Sequence, residues 1–247
     1  LGHPHYLNPV TVAQYGLSHY GRFLKTNNSL DRSKFLAHAD ALLTMQDQEG
    51  ALRYPFAYRY YATKQMLEPG WVSGMAQGQA ISVWVRAYKL TDDERYAAAA
   101  ARALKFMKKP VEEGGTWASL KAISPRLAAL GIPDEYPNQP STYTLNGALF
   151  AMLGLYDLSV TAPEATTRQD AQRMLDNSLE AMNHLLPLYD IGGFTSYDLA
   201  HITLKLEGPH VAPRYHAAHI YLLHALYEAT GKGSLKLYET RWSSYVK

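Results

Sequence analysis

Four tyrosines recur at nearly constant intervals and limit the folds open to this chain. Tyr20, Tyr88, Tyr156 and Tyr227 stand 68, 68 and 71 residues apart, in Ser-His-Tyr, Arg-Ala-Tyr, Gly-Leu-Tyr and Ala-Leu-Tyr. Each closes a stretch with apolar residues at helical spacing, and a second such stretch follows it. A period of that length built from helix pairs marks an all-α repeat, in which each unit buries its face against its neighbours.

The spacing predicts helices over about 10–24, 31–45, 73–90, 91–108, 142–158, 165–186, 215–231 and 235–245. Pro9 suits a first turn, Asp31 is an expected N-cap, and Thr91-Asp92-Asp93-Glu94 reads as a capping box. Three of the second helices stop at an acid followed by glycine: Asp47 to Gly50, Glu113-Gly114-Gly115, and Asp190 to Gly192-Gly193. The run Tyr54-Pro55-Phe56-Ala57-Tyr58-Arg59-Tyr60-Tyr61 is β-prone and predicts a short hairpin. The expected architecture is a single domain over 1–247, an α/α toroid forming an incomplete barrel of about four helical hairpins. The long loops, 47–72, 109–141 and 187–214, would then all emerge on one rim, partly as β-hairpins. The N-termini of the third, fifth and seventh predicted helices join them there, and their free N–H groups favour an anionic ligand. An α-solenoid with a peptide groove is the competing architecture. The Gly-Gly-aromatic turns and tyrosine-rich loops fit a glycan cleft better.

Composition removes several classes of function. There is no cysteine, hence no disulfide and no thiolate nucleophile or ligand. A net charge of +2 without a basic stripe argues against nucleic acid. No apolar run reaches the ~18 residues of a membrane span. The opening Leu1-Gly2-His3-Pro4-His5 lacks the grading of a signal peptide, and the missing initiator Met fits a processed product or a fragment. Nineteen tyrosines and ten histidines suit a wet pocket that stacks on sugar rings, although scattered core tyrosines would give the same count.

The residues that could do chemistry gather in the long loops. His216 and His219 are three apart on a helix face, with His201 and His210 upstream. No acid lies at the offsets of a zinc-protease helix, so hydrogen bonding or packing is the plainer reading. Gly74-Met75-Ala76-Gln77-Gly78 lacks the pattern of a phosphate loop, and no nucleophile elbow supports a serine triad. Proton chemistry remains. Glu135 lies between prolines in Asp134-Glu135-Tyr136-Pro137, where burial would raise its pKa and fit it to act as acid or base. Tyr136, Tyr197 and Tyr215 belong to the same rim; each alone reads equally well as a half-buried wall residue.

At these residues the chain resembles the C-terminal catalytic domain of the heparosan (heparan sulfate) D-glucuronyl C5-epimerase family. The resemblance rests on Glu68-Pro69-Gly70-Trp71, Met75 to Ser82, Glu135-Tyr136-Pro137, Leu145-Asn146-Gly147, Gly154 to Leu158, Leu186 to Asp190, Tyr197-Asp198-Leu199, Tyr215-His216 and Arg241-Trp242. It implies an α/α toroid that inverts C5 of glucuronate to iduronate in a glycosaminoglycan. The expected catalytic set is Glu135 and Tyr215 as an opposed proton-transfer pair, with Tyr136 and Tyr197 as carboxylate donors. Arg214, His201, His216, Asn146, Gln77 and Trp71 are the expected substrate contacts. The family pattern has an arginine where this chain has Ala200, and Arg214 is the expected replacement cation. No organic cofactor is implied. A divalent cation such as calcium could bridge the polyanion, although no ligand set here argues for it. The family's N-terminal β-rich domain, which helps form the cleft and a dimer, is expected to be absent from this chain, leaving a homodimer open. Animal members are Golgi-lumenal, whereas the lack of cysteine leans bacterial, so localisation stays open. A uronate lyase on the same scaffold and a non-catalytic glycan-binding toroid are the alternatives.

Overall fold

The structure is a computed structural model and describes residues 6–246; the Leu1–His5 segment read above for a leader lies outside them. Helix, counting the short 3-10 turns, accounts for 64% of the described residues. Chain order runs α1 (Pro9–Thr26), α2 (Ser29–Met45), β1 (Tyr58–Arg59), β2 (Met66–Leu67), α3 (Gly74–Thr91) and α4 (Glu94–Met107). There follow β3 (Trp117–Ser119), β4 (Gly131–Pro133), α5 (Leu145–Thr161), α6 (Ala165–Tyr189), α7 (Ala200–Thr203), α8 (Pro213–Thr230) and α9 (Gly233–Ser243). Both strand pairs are antiparallel, with Tyr58 opposite Leu67 and Trp117 opposite Pro133.

Four helices form an inner row, α1 on α3, α3 on α5 and α5 on α8, and each is backed by its sequence partner α2, α4, α6 or α9. Burial follows from place in the row. From Gly74 to Val85 every residue of α3 is buried, because α1, α4 and α5 cover its sides. Helix α1 stands at the end of the row and buries one stripe, including Val12, Ala13, Gly16 and His19. Glycines let α3 and α5 cross closely. A Cβ built on Gly78 would overlap the Ala151 backbone, and one on Gly154 would overlap the Gly78 carbonyl. One cluster of buried side chains runs from Val12 on α1 to Trp242 on α9.

The expected helices and the β1–β2 hairpin are present, and their edges differ for local reasons. Asn28, not Asp31, caps α2: its Oδ1 accepts from Leu30 N at 2.8 Å. Asp31 instead holds His19 Nδ1 at 2.7 Å and Arg22 Nε at 3.2 Å. Thr91 opens no capping box. Its hydroxyl bonds back to Ala87 O at 2.7 Å, which leaves it in α3, and Asp93 caps α4 by accepting from Arg95 N at 3.0 Å. Helix α5 starts at Leu145 rather than Thr142, because the preceding backbone is spent on the third long loop: Leu145 N donates to Tyr197 O and Leu199 N to Thr142 O. Helix α6 runs on to Tyr189 through Pro187. The 109–141 loop carries the β3–β4 pair, and the 187–214 loop carries α7, neither of which has a periodic signal.

Candidate active site

Asp134 fastens the second long loop to the helix ends beneath it. Its carboxylate accepts from Tyr143 N at 3.4 Å and Thr144 N at 3.2 Å, just before α5, while its carbonyl accepts from Gly74 N at 2.8 Å, at the start of α3. Glu135 is thereby laid across the first turn of α5. A Cβ on Gly147 would stand 2.5 Å from both Glu135 Cβ and Oε2, so only glycine leaves room there. Asn146 Nδ2 donates to Glu135 Oε2 at 3.4 Å.

The site shifts these acids toward neutrality. Burial pushes Asp134 up to about 6, against the backbone N–H groups that hold it down. Glu135 is pushed up to about 7 by desolvation, with the Asp134 charge adding to it, while the nearby Tyr136 phenol and the Asn146 amide act in the opposite sense. A carboxyl split between its two forms at neutral pH is suited to proton transfer in either direction.

Around it stands an aromatic wall from the first loop. Tyr54 stacks on Trp71 at 3.8 Å between centroids, Trp71 on Tyr58 at 5.9 Å, and Tyr58 on Tyr136 at 5.5 Å. Trp71 Nε1 donates to Phe56 O at 2.9 Å, which fixes the indole in the stack. Tyr197, only 6% exposed, lies behind the wall. Its backbone is held by His210 O and by Leu145 N, and its ring meets Tyr215 edge-on at 4.6 Å. Tyr215, in the first turn of α8, is 40% exposed. Burial raises the phenols of Tyr136, Tyr197 and Tyr215, and the Glu135 charge raises them further, so all three remain neutral donors.

These groups enclose a cavity of about 390 Å³, within the usual size range for small-molecule sites. Its floor is drawn from the first turns of all four inner helices: Asn8 caps α1, Ser73 caps α3, Asn146 opens α5 and Tyr215 opens α8. Among the described residues, no lysine, arginine or histidine lines it. Its attraction for an anion therefore comes from helix N-termini and neutral donors.

Of the residues singled out in the sequence, Glu135, Tyr136, Tyr215, Asn146 and Trp71 line the cavity, and Tyr197 stands directly behind Tyr136 and Tyr215. The other four lie elsewhere. Gln77 is fully buried, its amide spent on Leu52 N at 2.7 Å and Gly50 O at 2.9 Å, which bind the first loop to α3. His216 is buried against Thr195 Oγ1 at 3.1 Å and Trp242 O at 3.2 Å. His201 sits part-buried on α7, its pKa lowered by burial. Arg214 is exposed beside Tyr215 and forms no ion pair among the described residues. His219 shares Thr195 Oγ1 at 2.8 Å, and burial pushes it down to about 3. The described residues contain no group of three metal-ligating side chains.

The cavity also takes Tyr54, Tyr58, Ser73 and Met75, and from α1 Asn8 and Gln14. The alternation of Tyr54, Phe56 and Tyr58 could have marked the wall. Nothing in α1 marks Asn8 and Gln14 beyond ordinary capping and helix signals.

Residues 46–244 match the family model described as D-glucuronyl C5-epimerase C-terminus. The chain is 36% identical over 221 residues to a D-glucuronyl C5-epimerase of Caenorhabditis elegans, which covers 86% of this chain and 35% of that protein. It is 27% identical over 237 residues to an uncharacterised protein of Methanocaldococcus jannaschii, covering 89% and 70% respectively. Among solved structures it is similar to a family 76 glycoside hydrolase from a bovine Bacteroides thetaiotaomicron strain, with a TM-score of 0.50 at 16% identity over 81% of this chain and 40% of that one. That likeness concerns the fold alone, an α/α toroid.

Proposed function

This chain belongs to the D-glucuronyl C5-epimerase C-terminus family, and on that premise we propose that it inverts C5 of D-glucuronate residues within a heparosan-like polysaccharide. The observation that carries the reading is the pairing of Glu135, pushed up to about 7, with the neutral phenol of Tyr215 on one cavity ringed by helix N-termini. The C5 proton is acidic only because it lies α to the uronate carboxylate. Its removal leaves an enediolate, and inversion requires a base on one face and an acid on the other. Ionised Glu135 takes the C5 proton; the electron pair left behind passes into the carboxylate. Tyr215 then delivers its proton to C5 from the opposite face, and the two exchange roles in the reverse direction. Tyr136, Tyr197 and Asn146 hold the network that receives the growing charge, where fixed donors contribute most in a site sheltered from water.

The four hairpins form one incomplete toroid that works as a unit, as the row of inner helices and the continuous buried cluster suggest. The aromatic wall of Trp71, Tyr54 and Tyr58 offers stacking faces for neighbouring sugars of the chain. Arg214, outside the cavity but adjacent to Tyr215, meets the uronate carboxylate at the rim. Titration of Arg214→Ala with heparosan should show weakened binding; unchanged affinity removes Arg214 from the site. Incubation with heparosan followed by disaccharide analysis should yield iduronate. A new C4–C5 double bond would instead mean elimination, and binding without either product would mean a non-catalytic toroid.

A further inference from the structure

A second cavity of about 320 Å³ lies among the same four inner helices, toward their C-terminal ends. Phe150 of α5 lines both cavities, which places one on each side of it along the inner row. The most informative residue in the lower one is Gln79 of α3. It is 1% exposed, and neither its Oε1 nor its Nε2 has a hydrogen-bond partner among the described residues. A buried carboxamide that no protein group meets is costly to keep unless a bound group repays its desolvation. Gln77, two residues earlier, has both ends of its amide occupied, so the unmet Gln79 is not a general feature of this helix.

The charge in the lower cavity is already balanced. Arg86 binds Asp157 through both guanidinium nitrogens, NH1 at 2.5 Å and NH2 at 3.2 Å, and Ser82 Oγ donates to Asp157 Oδ2 at 2.6 Å. The Arg86 guanidinium also stands over the Tyr20 ring at 5.8 Å. The unmet demand is therefore for a neutral group that both donates and accepts, beside the apolar surfaces of Leu17, Leu153 and Leu222. Alcohol hydroxyls on a carbon ring meet that demand, each being donor and acceptor at once. We propose that this cavity is a binding site for a single neutral, hexose-sized polyol, separate from the catalytic cavity and recognised through Gln79. It stands whether or not the epimerase reading does.

Saturation-transfer NMR and calorimetric titration of the whole chain with D-glucose test this. Binding is expected in the millimolar range, at least tenfold weaker in Gln79→Leu and unchanged in Glu135→Gln. D-glucuronate should bind the lower cavity at least tenfold more weakly, because no free cation waits there. Gly21, whose added Cβ would meet nothing within 4 Å, provides a second variant: Gly21→Leu should fill the cavity and abolish glucose binding without lowering Tm. Absence of glucose binding overturns the proposal and leaves a water-filled cavity only. Binding that survives both Gln79→Leu and Gly21→Leu, or that is lost in Glu135→Gln, overturns it equally.

Discussion

Burying Glu135 makes a demand on its surroundings that is measurable apart from catalysis. Its pKa, ordinarily 4.5, is raised to about 7, so the folded state holds a proton that the unfolded chain has released. The stability this provides is complete below 4.5 and is lost as pH rises through 7. Glu135→Gln lacks the dependence. Its stability relative to wild type should therefore climb between those values and level off above, by on the order of 3 kcal/mol in urea unfolding. A difference independent of pH would contradict the shifted carboxyl. The same substitution should lower the rate on heparosan by about 10²- to 10⁴-fold, and Tyr215→Phe by a similar factor. At this scale the sequence is readable where chemistry and local context coincide. Glu135 and Tyr136 stand between prolines, and Asn146 and Gly147 follow at the start of a helix. Gln77 shows the limit: one residue type serves as a loop anchor at 77 and has both ends unmet at 79, and only the packing of α3 against the first loop separates them.

Among elements, α3 and α5 cross closely at Gly78 and Gly154. Gly78→Ala would gain up to about 1 kcal/mol of helix propensity, but its Cβ must displace the Ala151 backbone. Overpacking of that kind costs about 1–3 kcal/mol, so the variant should be net destabilised in chemical denaturation. Gly21→Ala makes the same exchange with nothing within 4 Å and should be stabilised by up to about 1 kcal/mol. Opposite signs for one substitution test the packing directly. In the wall, Trp71→Ala should raise KM for heparosan about tenfold and change kcat less, since the stack binds rather than reacts. The long helices were legible because their apolar period persists over several turns. The β3–β4 pair and α7 were not, because two or three residues of strand and one helical turn carry no period. The caps at Asn28 and Asp93 turned on which of two neighbouring polar side chains reached the backbone; His19 claimed Asp31, and Ala87 O claimed Thr91.

For the whole molecule, the four-fold recurrence of tyrosine was the feature from which the rim could be inferred, and that rim carries the candidate site. Each inner helix contributes its first turn to one cavity, so a chain of net charge +2 presents a focused positive end there, with no cation in the lining among the described residues. What the repeat could not disclose was α1's share, Asn8 and Gln14, because their role depends on the row curving round the cavity. The central claim is that Glu135 and Tyr215 exchange the C5 proton of a uronate across that cavity. Heparosan incubated with the protein in deuterium oxide should gain deuterium at C5 of its uronates, without chain cleavage, and Glu135→Gln should reduce the exchange at least a hundredfold. Exchange that proceeds undiminished in Glu135→Gln, or no exchange in the wild-type protein despite bound heparosan, would contradict it.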